Sequence, residues 1–181
     1  MKYKLVILFF VSLISCQLQF AAAQEQQIRD AINIAIVDYM ANPRVGENEN
    51  YTILSIDTTD CTIEIAFLFL YNKNSAAGKY SLSFLLENVG KNLPGIPTDF
   101  IEYKGHLFAW YNPNKPLTRR VINKLKKYNQ VFINPYITMV FVTDGGPHII
   151  YHMCKDDYNQ YGTQIEKGFY RENIPKLPCC R

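Results

Sequence analysis

His152 and Cys154 are the two side chains of this sequence best suited by type and spacing to do covalent chemistry. An imidazole beside a thiol can take its proton, and the thiolate is then a nucleophile or a redox centre. In a β-strand, residues two apart share a face and lie about 6.6 Å from one another. The pair would suit a thiol-dependent hydrolase or redox protein, but no third residue at a fixed spacing supplies the orienting group. His148 shares the face with His152 at about 13 Å, too far for both to bind one metal ion. Gly-x-Ser-x-Gly, His-Glu-x-x-His, a phosphate-binding glycine loop and a calcium loop are all absent from the sequence. No catalytic residue, metal or cofactor is therefore expected, with Cys154 and His152 as the alternative.

The cysteines have a competing use. Of the five, Cys16 lies in the N-terminal segment, leaving Cys61, Cys154, Cys179 and Cys180. An even number in an exported chain implies disulfides, and four cysteines allow three pairings. A bond between the adjacent Cys179 and Cys180 is strained. The expectation is that Cys61 and Cys154 are each tied to one member of the terminal pair, stapling the tail to a sheet. No Cys-x-x-Cys spacing suggests zinc.

A binding surface is the other possibility. His106-Leu107-Phe108-Ala109-Trp110-Tyr111 holds the only tryptophan. In a strand, His106, Phe108 and Trp110 share one face and Leu107, Ala109 and Tyr111 the other. His106, Phe108, Trp110 and Tyr111, beside the Pro/Gly-rich stretch 88–98, form the candidate binding residues, set against a simple core role for the tryptophan. Arg119, Arg120, Lys124, Lys126 and Lys127 mark the polar face of a helix. Positive charge in its first turn opposes the helix dipole, so carboxylates or a partner should compensate Arg119 and Arg120.

The elements that must position these residues follow from hydrophobic spacing. Ile28, Ile32, Ala35, Ile36, Tyr39 and Met40 predict a helix over 24–41, ended by Asn42-Pro43. Strands are expected at Tyr51–Thr58, Thr62–Tyr71 and Tyr80–Leu86, as an antiparallel meander. A hairpin follows, Asp99–Tyr103 and His106–Tyr111 about a Lys104-Gly105 turn. Thr118 predicts an N-cap for a helix to about Tyr128, with Val121, Ile122, Leu125 and Tyr128 inward. Tyr136 to Cys154 reads as a second hairpin about Asp144-Gly145-Gly146-Pro147, its arms apolar on both faces and hence interior to a sheet. Residues 156–181 read as a polar, tyrosine-bearing tail. The fold class is α+β: an antiparallel sheet of about five to seven strands carrying the N-terminal helix and the helix near 118–128. This order of elements resembles the cystatin-like and NTF2-like groups at the level of fold, which by itself implies no function.

The N-terminus sets the compartment. Lys2 and Lys4 precede an apolar run from Leu5 to Ile14, too short to span a bilayer and suited to a signal peptide. Residues 1–23 are expected to be removed after Ala21-Ala22-Ala23. The alternative is lipidation at Cys16, since Leu13-Ile14-Ser15-Cys16 resembles the motif of bacterial lipoproteins. Removal of Lys2 and Lys4 leaves 17 basic against 16 acidic residues, a net charge of +1, which argues against nucleic acid as a partner. The 158 residues from 24 to 181 suffice for one domain with a real core. The expectation is a periplasmic or secreted binding domain without catalysis, acting on a protein or small-molecule ligand. It would have no transmembrane segment in the mature chain and membrane attachment only through a lipidated Cys16.

Overall fold

The structure is a computed structural model, and it describes residues 2–41, 50–68, 79–133, 148–166 and 177–180. An α+β fold is built on a six-stranded, mostly antiparallel sheet in the order β4-β5-β1-β2-β7-β8. Helix α1 (Lys2–Ala41) lies on one face, and α2 (Leu82–Glu87) and α3 (Arg119–Lys127) lie on the other. The N-terminal helix predicted from residue 24 thus runs unbroken from Lys2. Among the described residues, no helix is long and apolar enough to cross a membrane.

The periodicity of α1 does what its spacing requires. Ala31, Ile32, Ala35, Ile36 and Tyr39 are buried against the sheet. The two alanines let the helix backbone approach closely while the isoleucines fill the space beside them. Tyr39 stacks on Phe67 at 4.8 Å and meets Phe108 edge-on at 6.1 Å. Phe67 comes from β2 (Thr62–Leu68), which pairs antiparallel with β1 (Tyr51–Thr58).

The hairpin of β4 (Asp99–Tyr103) and β5 (His106–Trp110) forms as its turn predicts. Lys104 and Gly105 both have positive φ, 49° and 78°, as a two-residue turn matched to strand twist demands. β5 then runs parallel to β1, placing Tyr51 beside Leu107 and Leu54 beside Trp110. Every β5 residue is buried, because Phe108 and Trp110 face α1 while Leu107 and Ala109 face α3. Helix α3 is capped by the Thr118 hydroxyl, which accepts from the Val121 N–H at 3.3 Å. Its Val121, Ile122, Leu125 and the adjoining Tyr128 are buried as predicted.

Three expectations are corrected. The third meander strand at Tyr80–Leu86 is absent. Tyr80–Ser81 forms β3, which pairs in parallel with β6 (Val131–Phe132) outside the main sheet, and Leu82–Glu87 is helical. The segment alternates, but it also satisfies helical spacing: Leu85 is fully buried while Leu86 is 48% exposed, the reverse of the strand pattern. The polar, tyrosine-bearing tail, expected at 156–181 without a strand, contains one. Tyr161–Glu166 forms β8, the edge strand beside β7 (His148–Cys154). Finally, the first three strands do not form a meander, since β1 is flanked by β5 and β2. β7 is interior, lying between β2 and β8, and Ile149 through Cys154 are buried on both faces as predicted. The partner arm and turn expected at 136–147 lie outside the described residues, as does the expected end of β2 at 69–71.

Candidate functional site

The hairpin register creates a charged junction at the edge of the core. With Tyr103 opposite His106, the pairing runs back to set Asp99, the first residue of β4, opposite Trp110, the last of β5. Helix α1 crosses this end of the sheet and brings Arg29 over both. The Arg29 guanidinium donates to Asp99 Oδ2 at 2.5 Å and sits 5.5 Å from the centre of the Trp110 ring. Lys115 Nζ donates to the same carboxylate oxygen at 2.8 Å and also pairs with Glu25, while the Phe100 N–H donates to Oδ1 at 2.9 Å.

The Asp99 side chain is 13% exposed. Burial by itself would raise its carboxyl. The hydrogen bonds from Lys115, Arg29 and the Phe100 N–H, with the Arg29 charge, outweigh that and hold it below the ordinary aspartate value. Lys115 is shifted the other way. Burial would lower its ammonium, but Asp99 and Glu25 together keep it raised.

A cleft of about 270 Å³ opens beside this network. Its floor is apolar, made by Ile28 and Ile32 of α1, Ile56 of β1 and Trp110. Its rim is polar, with Gln24, Asp57, Thr58, Tyr111 and Asn114. The loop that carries Tyr111 and Asn114 is pinned. The Asn112 N–H donates to the Thr98 hydroxyl at 2.8 Å, and the Asn114 N–H donates to Asn112 Oδ1 at 2.9 Å. Fixed backbone at the rim of an apolar-floored cleft is the arrangement that small-ligand sites share.

Of the four residues predicted as a binding surface, the structure brings two to this cleft. Trp110 and Tyr111 line it. His106 and Phe108 do not: His106 Nε2 lies 2.8 Å from the Thr52 hydroxyl, the two rings stack at 4.4 Å, and both residues are buried in the core. Arg29 and Asp99 were missed because they are 70 residues apart. Asp99 could have been found, since counting back from the Lys104-Gly105 turn sets it across from Trp110. Nothing local marks Arg29, which reads as an outward-facing helix position.

The thiol pair is placed differently from its catalytic expectation. Cys154 is bonded to Cys179 in a disulfide, with the Cα atoms 5.8 Å apart. Its sulfur is therefore not a thiolate source in this state. Cys61 is also disulfide-bonded, and the side chains of Cys16 and Cys180 lie outside those described. His152 Nδ1 lies 3.5 Å from Glu64 Oε2, and its Nε2 lies 3.3 Å from Gln164 Oε1. These contacts bind β7 to its neighbours on both sides and give the buried imidazole partners other than sulfur. His148 opens β7, and its side chain lies outside those described. Among the described residues, no three His, Cys, Asp or Glu side chains converge to hold a metal ion.

The basic face of α3 is partly neutralised in place. Lys124, Lys127 and the Tyr128 hydroxyl all donate to the Glu102 carboxylate from β4. Those hydrogen bonds, from Lys124 first and Lys127 next, lower its carboxyl from 4.5 to about 2. In the first turn, Arg120 finds an aromatic face instead of a carboxylate, with its guanidinium 5.4 Å from the centre of Phe100. Arg119 is solvent-exposed.

No protein-family model, no curated protein and no solved structure matches this chain.

Proposed function

We propose that this protein is a small exported domain that works by binding, without catalysis, and that the cleft beneath Arg29 is where it binds. The observation that carries this reading is the contrast between the thiol and the cleft. The sulfur of Cys154, the residue best suited to nucleophilic chemistry, is consumed in a bond to Cys179. An open, apolar-floored cleft with a pinned rim lies beside the Arg29–Asp99 pair. Export is supported by the charged and apolar pattern of residues 1–23 and by the disulfide chemistry, which suits an oxidising compartment.

Catalysis is tested with the native protein against a panel of ester, amide and thiol substrates, alongside Cys154→Ser and Cys154→Ala. The proposal predicts no turnover by the oxidised protein and no change in any background rate in the variants. Turnover that Cys154→Ser abolishes would replace the proposal with a thiol enzyme.

A further inference from the structure

The cleft also indicates what kind of molecule it takes, on the reading that it is a ligand seat. Its partly buried ionic groups are already matched to one another, and among the described residues lining it only Asp57, at the exposed rim, has no ion pair. Arg29 is paired with Asp99, and Glu25 is paired with Lys115, which also reaches Asp99. Asp57 has one carboxylate oxygen accepting the Thr58 N–H at 2.8 Å, leaving the other as an acceptor at the rim. A strongly charged ligand would have to break a pair that is partly buried, at the cost of leaving its partner uncompensated.

The remaining polar groups have a different character. Among the described residues, the side chains of Gln24, Thr58, Tyr111 and Asn114 make no hydrogen bond within the protein. Two are carboxamides and two are hydroxyls, and each can both donate and accept. They stand around a floor where Ile28 and Ile56 present hydrocarbon, with Ile32 and Trp110 buried behind them. A ligand that suits these groups carries several hydroxyl-like groups around its edge, presents C–H bonds on a face and needs no charge of its own. The volume, about 270 Å³, sits just below the usual range for drug-sized ligands, so the occupant is a compact molecule of one or two rings rather than an extended chain.

We infer that the cleft binds a neutral saccharide, with Asn114, Tyr111, Thr58, Gln24 and Asp57 meeting its hydroxyls and the isoleucine floor meeting its C–H face. The Arg29–Asp99 pair serves as a fixed, internally neutral wall that positions Trp110 without competing for the ligand.

The single tryptophan supplies the readout, because its ring lies on the cleft floor under Arg29. The full-length oxidised protein is titrated with glucose, trehalose, maltose, cellobiose and N,N′-diacetylchitobiose to about 10 mM, a range that captures weak carbohydrate affinities. Trp110 emission is followed throughout. The inference predicts a saturable change with at least one of these sugars, and an affinity at least tenfold weaker in Asn114→Ala and Tyr111→Phe. Arg119→Ala on α3 serves as a control and should titrate like the parent. Circular dichroism confirms that each variant is folded. The inference is overturned if no neutral sugar gives saturation, or if the response is the same in Asn114→Ala and Tyr111→Phe. It is also overturned if only glucuronate or glucosamine binds, which would leave the cleft as a ligand seat for a charged molecule. None of these outcomes bears on whether Cys154 is catalytic, which the turnover assay decides separately.

Discussion

Arg29 and Asp99 form a 2.5 Å ion pair that joins α1 to the first residue of β4 across 70 positions of sequence. The pair is shielded by the protein on the Asp99 side and shares that carboxylate with Lys115. It closes the junction between the helix and the hairpin and sets the wall of the cleft.

Removing the carboxylate should therefore destabilise the fold. Asp99→Ala leaves Arg29 and Lys115 without their shared acceptor and is expected to lower unfolding free energy by about 2 kcal/mol, the scale of hydrogen bonds to charged groups. The difference should depend on pH. The Asp99 carboxyl is depressed in the folded state, so its contribution is complete above its ordinary value of 3.8 and is lost as pH falls through the lower folded value. Urea denaturation of parent and variant from pH 7 downward should show the two curves converging in acid. A gap of constant size through that range would contradict the pairing.

Glu102 offers a weaker and more salt-sensitive case. Its contribution should be present above pH 4.5 and lost as pH falls toward 2. Because the cluster with Lys124 and Lys127 faces solvent, Glu102→Gln should cost at most about 1 kcal/mol at neutral pH and low ionic strength. The loss should shrink in about 1 M salt, where screening is nearly complete over the distances involved. Thermal melts at two salt concentrations measure this directly.

The helical reading of Leu82–Glu87 makes a pair of opposite predictions. Leu85 is fully buried, so Leu85→Ala should cost about 2–5 kcal/mol. Leu86 is 48% exposed, so Leu86→Ala should stay within about 0.5 kcal/mol. A strand with the alternation of Tyr80, Leu82 and Phe84 would reverse the two results.

That segment shows where local pattern stops being informative. Tyr80 to Leu86 alternates well enough for a strand and is spaced well enough for a helix, and the choice is made by what Leu85 meets, the buried cluster around α3. The β4–β5 hairpin was legible because Lys104 and Gly105 specify a turn and the turn specifies the register. Helix α3 was legible from Thr118 and its stripe. The parallel contact of β1 with β5 was not, since it joins strands separated by the whole of β2 to β4. β8 escaped because an edge strand holding Gly162, Thr163 and Gln164 carries little apolar signal. For the cleft, Trp110 and Tyr111 were legible as aromatics beside a loop. The inward turn of His106 and Phe108 was not, because β5 is covered on both faces by helices from distant parts of the chain.

The tail should come loose on reduction. The Cys154–Cys179 bond closes a loop of sequence separation 25, for which loop-closure entropy gives about 3.5 kcal/mol of stabilisation. Reduced protein, in which the Cys61 bond is opened too, should unfold at lower urea concentration by at least the corresponding margin, and limited proteolysis should then cut C-terminal to β8 before the sheet. Identical denaturation curves with and without reductant would show that the bond does not fasten the fold.

The central proposal is an exported domain whose sulfurs hold structure instead of reacting, and intact mass spectrometry of protein recovered from its native source tests it most directly. Measured with and without reduction and alkylation, the chain is predicted to begin at Gln24 and to show no alkylated Cys154 until reductant is added. A chain that still carries Met1, with Cys154 and Cys179 both freely alkylated before reduction, would contradict it.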